Sequence, residues 1–454
     1  MAEQSKSATA PREPALRPKS MRGPGLDVVR NARVYADGDS LVVRDRRGRE
    51  RRYPVGDEGI RQAVFFPPAN VRGTAMQRPV TRWGVVVFQD AAGRYVLRVP
   101  LEQWLPEATV MGTADLSPQD CLSRTGLKQL LDSLGVPLSE SPQPWGRDVT
   151  AGPGGGDYDS AGETDVPVWN GWARGIGMAG WFIALAFSIS LGIGSWGAIV
   201  AAGSLCLVPG SDVVVRVLAW WRNRGDARLA GAVVIRPSPE SGADATRRFL
   251  ETAAVRVLPG DAVLTNTVGE ERWYARRGAH GIARLVRLTD PKTGARLGVE
   301  LRDGEGQARA LLPWRWWFAG PEGERRWSAL VAALEIPVSD EKFKHASEVR
   351  AADGPDLWAR AHQLAGDARK MSPMDGKAAR RATSWNESVI GGGEVIVIPI
   401  FSSLFMAGLF SDRAPAQVAG ALSALTVIAV WGPAIAHQLA SRLTKDRPQV
   451  SETS

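Results

Sequence analysis

The sequence predicts an α+β protein in which one soluble domain and one membrane hairpin each occur twice, giving two small domains and four transmembrane helices. Three observations predict it: an internal duplication, a set of long charge-free apolar runs, and strand patterns that close on a helix in both copies. Residues 33 to 140 match residues 256 to 340 in order. Arg33-Val34 through Gly38-Asp39 matches Arg256-Val257 through Gly260-Asp261, and Gly59-Ile60 matches Gly281-Ile282. Gly84 matches Gly298, Gly93 matches Gly306, Pro100 matches Pro313 and Trp104 matches Trp317. The closing stretch is the clearest: Leu130, Leu134 and Val136-Pro137-Leu138-Ser139-Glu140 stand against Leu330, Leu334 and Ile336-Pro337-Val338-Ser339-Asp340. Trp169-Asn170 and Trp385-Asn386 repeat the approach to the apolar runs.

Composition narrows the class. The chain has 454 residues and a formal net charge of +8, and 47 of its 56 basic residues are arginine. That bias, with abundant Ala and Gly, is what a high-GC genome encodes and points to an actinobacterial source. A pI near 9.8 calls for an acidic partner, and beside apolar runs an anionic inner leaflet answers that better than nucleic acid. Cys121 and Cys206 are the two cysteines, which excludes a disulfide framework or a cysteine metal site. No apolar core follows the N-terminal charges, so no cleaved signal peptide is expected.

Taken in chain order, residues 1–24 read as a polar, mildly basic tail and 25–140 as the first soluble copy. In that copy residues 40–44 and 50–55 flank Arg46-Arg47-Gly48, and residues 85–88 and 95–99 flank a turn from Asp90 to Gly93, two hairpin signals. Ser117 before Pro118 opens a helix with Leu127, Leu130, Leu131 and Leu134 on one face. Residues 141–168, rich in Gly and Pro, carry Asp148, Asp157, Asp159, Glu163 and Asp165 against Arg147, and read as an acidic linker containing a flexible stretch from Gly152 to Gly156.

The first hairpin, 169–224, contains 37 residues from Gly175 to Ser211 without Asp, Glu, Lys, Arg or His. One helix needs about 20 residues to cross the hydrocarbon core, so the run divides at Gly192 to Gly197 into spans near 174–192 and 196–215. The second copy, 240–340, repeats the later hairpin as 298–301 and 307–312 around Asp303 to Gly306, then a helix from Pro321-Glu322 with Trp327, Leu330, Val331 and Leu334 on one face. A helix-prone connector, 341–388, carries Leu357, Ala361 and Leu364 on one face. The second hairpin, 389–443, has charge-free runs at 395–411 and 414–436 with Asp412 and Arg413 at its turn, and a tail of 444–454 follows. Arg174, Arg216, Arg222 and Arg224 border the first hairpin, and Lys377, Arg380, Arg381, Arg442, Lys445 and Arg447 the second. The positive-inside rule then puts both copies and both termini in the cytoplasm of a multi-pass plasma-membrane protein.

A run of antiparallel strands closed by one C-terminal helix resembles the pleckstrin-homology-type module, a half-barrel, and the alternation with hairpins resembles membrane-tethered bacterial proteins that carry such domains. The resemblance covers about 100 residues per copy and rests on element order; Trp327 stands where that superfamily often has a helix Trp, and its counterpart Leu127 departs from it.

Catalytic signatures do not emerge. His280, His345, His362 and His437 have no second ligand at metal spacing, Gly152 to Gly156 lacks the Lys of a phosphate loop, and no nucleophile elbow occurs. Neither catalytic residues, a metal site nor a cofactor are expected. Glu394 and His437 are the ionisable groups nearest the bilayer, at its cytoplasmic ends. The densest charge is Arg44, Arg46, Arg47, Arg49, Arg51 and Arg52, with two acids in nine residues. A solvated hairpin tip, contact with anionic head groups and nucleic-acid binding compete for it; the last lacks interleaved aromatics. The second copy has Glu270-Glu271-Arg272 there, so a lipid role belongs to the first copy alone. The expected function is a non-catalytic integral membrane scaffold or adaptor. It would organise a protein assembly in the envelope, secretion or cell division, with the membrane, anionic lipid and a protein as partners and no nucleic acid. The alternative is a transporter or channel component built from two parallel repeats, against which stands the scarcity of polar residues at mid-membrane.

Overall fold

The computed structural model describes residues 15–68, 83–107, 117–143, 151–157, 168–191, 194–223, 229–343, 376, 379–380, 383 and 394–443, with backbone alone at 151–157, 187–191, 194–195, 394–395, 433–434 and 436–443. The chain falls into two compact units, one of residues 1–163 with 227–383 and one of 164–226 with 384–454. The architecture is mixed α+β with several antiparallel sheets.

In the first copy, β1 (Ala15–Leu16), β2 (Arg33–Asp37), β3 (Ser40–Arg44) and β4 (Glu50–Pro54) form an antiparallel sheet in sequential order, with α1 (Leu26–Asn31) leading into β2. β5 (Gln62–Phe66), β6 (Val85–Gln89) and β7 (Tyr95–Pro100) form a second meander, followed by a 3-10 turn at Leu101–Trp104, α2 (Pro118–Arg124) and α3 (Leu127–Leu134). The helix is not the last element. β8 (Leu138–Glu140) returns parallel to β5, and β9 (Ala151–Asp157) lies parallel to β7. Part of the stretch read as flexible linker is therefore an edge strand, since backbone pairing needs no side chain from its glycines.

Two long helices follow, α4 (Val168–Leu191) and α5 (Gly194–Asn223), and then the second copy repeats the first. β10 (Val233–Ile235), α6 (Arg247–Thr252), β11 (Ala254–Val257), β12 (Asp261–Thr265) and β13 (Glu271–Ala275) match the first sheet. β14 (Arg284–Thr289), β15 (Arg296–Arg302), β16 (Ala308–Pro313), α7 (Trp314–Trp317), α8 (Gly323–Leu334) and β17 (Val338–Lys342) match the second, with β17 parallel to β14. The repeat holds at single bonds: Pro137 O accepts from Ala63 N and Pro337 O from Leu285 N, both at 2.9 Å. Four hairpins use one turn. Asp45, Asp90, Asn266 and Asp303 each accept two backbone N–H groups, two and four residues on, through a side-chain oxygen. A glycine with φ between 75° and 82° closes each turn.

The core of the first copy takes in residues of the second, whose own main core is separate. Leu258, Val263 and Trp273 of the second pack into the cluster built by Leu16, Met21, Val28, Val34, Leu41 and Trp104 of the first. Residues 15–24, assigned from sequence to a structureless tail, belong to this junction: Leu16, Ser20 and Met21 are buried, and Met21 bridges Glu271 at the open edge of β13. The single helix expected in the first copy is two, because Gly126 at φ 79° breaks it after Arg124; the predicted Ser117 cap and Pro118 start are present, as a capping box with Asp120.

In the helical unit, α4 and α5 pack with α9 (Glu394–Met406), a 3-10 turn at Ala407–Phe410 and α10 (Ala414–Leu443). Trp181, Ala184, Ala201, Leu205, Val208, Ile398 and Val430 face inward. Ile176, Phe182, Ile183, Val217, Leu404, Leu425 and Ile428 face outward and exposed. Two of these helices, over Trp196–Asn223 and Ala414–Gly432, are long and apolar enough to cross a membrane, and Ile396–Phe410 is shorter. The Trp385-Asn386 repeat and the connector residues Leu357, Ala361 and Leu364 lie outside the described residues.

Candidate functional site

The basic hairpin joins β3 to β4, and half its charge is spent within the domain. Arg44 donates to Glu50 at 2.7 and 3.0 Å and lies 5.4 Å from the Tyr35 ring centre. Hydrogen bonds from Tyr35 and Arg44 hold the Glu50 carboxyl below the usual range. Arg49 pairs with Asp45 at 2.6 Å and Arg52 with Asp37 at 2.7 Å. Burial pushes the Asp45 carboxyl up, but hydrogen bonds from Arg49 and Arg47 outweigh it and leave the group lowered. Arg46 is half-buried, with its carbonyl accepting from Asn31 at 2.6 Å. Arg47 and Arg51 are exposed, with no carboxylate in ion-pair range among the described residues.

The counterpart in the second copy is a different surface. Glu270 and Glu271 are buried, not a solvated tip, because residues 20–30 of the first copy cover them. Glu271 receives Arg30 at 2.6 Å and the Trp273 indole N–H at 3.0 Å; Glu270 takes the Ser20 hydroxyl and the Asn266 amide. The strand that carries Arg51 and Arg52 in one copy thus carries the inter-copy joint in the other.

A second charged centre lies between the copies and was invisible in the sequence. Arg309, fully buried on β16, donates to Asp303 and to Glu107 at 2.9 Å each and to the Arg124 carbonyl at 2.9 Å. Burial pushes Glu107 up, and Arg309 and Arg124 overcome it, so the carboxyl stays ionised well below its ordinary range. His280 sits 3.3 Å from Arg309, and burial followed by that cation lowers its pKa, which keeps the ring neutral at pH 7. Its partners are 29 and 151 residues away, Arg309 and Gln129, so no local spacing could have revealed them. Among the described residues no group of His, Cys, Asp or Glu is arranged to hold a metal ion.

The helical unit holds one polar cluster that the sequence reading passed over. Asn170 on α4, 1 % exposed, donates to Asp212 on α5 at 2.8 Å, and Arg174 lies 3.5 Å from the same carboxylate. The side chains of Glu394 and His437, the ionisable groups singled out from sequence, lie outside the described residues, as do His345 and His362. No family model matches the chain, and no curated protein and no solved structure matches it.

Proposed function

We propose that the chain is a non-catalytic integral membrane scaffold, with two pleckstrin-homology-like copies fused into one body on the cytoplasmic side of a bacterial plasma membrane and anchored by four spanning helices in two hairpins. The observation that carries this reading is the outward-facing apolar surface of the helical unit, an inversion of the soluble pattern that suits lipid. The fused copies supply a broad rigid surface for a protein partner. Arg47 and Arg51, free of internal acids among the described residues, supply attraction to anionic head groups, each worth roughly 1 kcal/mol near such a surface.

The test replaces Arg47 by a photoreactive residue in the full chain and irradiates native membranes. Adducts to phospholipid are expected, and they should fade in high salt as the Debye length falls from about 10 Å at 0.1 M to about 3 Å at 1 M. Adducts to solvent alone would leave the hairpin a solvated tip. The transporter reading has one observation in its favour, the buried Asp212 with Asn170 and the partnerless Ser402 and Ser423 hydroxyls among the described residues. Substrate-dependent flux in proteoliposomes would reverse the order of the two.

A further inference from the structure

We propose that the cavity between the two copies is a binding site for a phosphate group, held by Arg124 and Arg277. The cavity measures about 270 Å³, room for several waters at about 30 Å³ each and below the range of drug-sized sites, so a phosphate on a compact body is the scale it takes. Four of its lining residues are arginines, Arg17, Arg124, Arg277 and Arg309, and none is acidic. The acids stand behind the wall. Asp261 pairs with Arg17 at 2.7 Å, and Glu107 and Asp303 hold Arg309 at 2.9 Å. Three carboxylates against four guanidiniums, with His280 neutral, leave one net positive charge facing a site walled on its apolar side by Pro106, Trp273 and Ala275.

Arg124 decides the chemistry. It is 8 % exposed, yet among the described residues its guanidinium forms no ion pair and donates one hydrogen bond, to the Ala308 carbonyl at 3.2 Å. A guanidinium carries five N–H donors in a planar fork that suits an oxyanion, and a buried cation left with so little compensation is costly. Burial and then the like charge of Arg309 lower its pKa against the opposing pull of Glu107, Asp303 and Asp120, a residual strain that an anion would relieve. Its position follows from the helix break. Gly126 turns left-handed where a Cβ would press the His280 ring at 3.0 Å, so α2 ends at Arg124 and points its last residues at the cavity. Arg277 reaches the same space from the 276–281 loop of the second copy, exposed at the rim. A ligand there would touch both copies at once.

The test is calorimetric titration of the detergent-solubilised full chain with inorganic phosphate at low ionic strength, against matched chloride. One saturable site is expected, weakened at least tenfold in Arg124→Gln and in Arg277→Gln and unchanged in Arg47→Gln. Arg277 is exposed, so its variant stays informative should Arg124→Gln fail to fold. Competition by glycerol 3-phosphate would identify a soluble ester as the natural source, and competition by nanodiscs containing phosphatidic acid would identify a lipid head group. No preference for phosphate over chloride, or equal binding by wild type and Arg277→Gln, would overturn the proposal. The Arg47 control separates this result from the fate of the lipid-facing hairpin.

Discussion

Glu335 is the one non-glycine residue with positive φ among the described residues, at 53°, and it ends α8 where Gly135, at 65°, ends α3. The left-handed region costs an L-residue about 1–2 kcal/mol, partly offset because glycine gives up roughly 0.5–1 kcal/mol more chain entropy on folding. Glu335→Gly should therefore raise stability by up to about 1 kcal/mol, and Gly135→Ala should lower it by about as much, both read as shifts in Tm of the soluble unit. A lower Tm for Glu335→Gly would mean that the 3.5 Å pair with Arg276 matters more than an exposed pair ordinarily does. The same scale shows where reading by identity slips. The closing Val-Pro-Leu-Ser-Glu stretch aligned without error, because cap, proline and parallel strand fix each position. Glycines matched by name did not: pairing of Val85 with Pro100 and Gly298 with Pro313 makes Val85, not Gly84, the counterpart of Gly298, and Gly38 stands opposite Pro259. Gly84 is needed for its φ of 89° against the Phe65 ring, while Gly298 sits inside a strand, so one letter served two physical purposes.

At the level of elements, the hairpins were legible because their turns are local. Asp or Asn, two residues, then Gly is a complete instruction, and it holds although the flanking strands do not alternate, β6 and β13 being buried throughout and β4 mostly exposed. The helix break was not, since Thr125-Gly126 reads as a tolerated glycine until His280 is brought against it. The N-terminal segment was misjudged for the same reason: its polar letters conceal Leu16 and Met21, whose burial draws on β2 and on Leu258, Val263 and Trp273, more than two hundred residues later. For the helices, length and hydropathy single out α5 and α10, and the four-span proposal makes a sharper demand. Reporters fused after residue 230 and after residue 450 should both report cytoplasm, since the arginines flanking both hairpins favour that side. A periplasmic signal after 230 would remove the first hairpin.

At the level of the whole molecule, the candidate phosphate site and the buried ion centre draw on both copies, so neither could be found by examining one repeat. The mixed core of the first copy has a further consequence, in the order of events during synthesis. Domains commonly fold as units as they leave the ribosome, the N-terminal one first. Here the first copy is complete as a sequence by residue 157, yet its core lacks Leu258, Val263 and Trp273, which emerge only after α4 and α5 have been made. Until then Leu16, Met21 and their neighbours lack three of the side chains that close over them, and the nascent protein holds that part of its apolar face open while α4 and α5 are made. A chain ended after residue 226 should accordingly be cleared by proteolysis in cells faster than one ended after residue 343, and pulse-chase decay of the two would show it. Equal lifetimes would mean that the first copy closes its own core. If the difference holds, the duplication can no longer be undone by separating the genes for its halves: the first copy has come to need the second to finish its core.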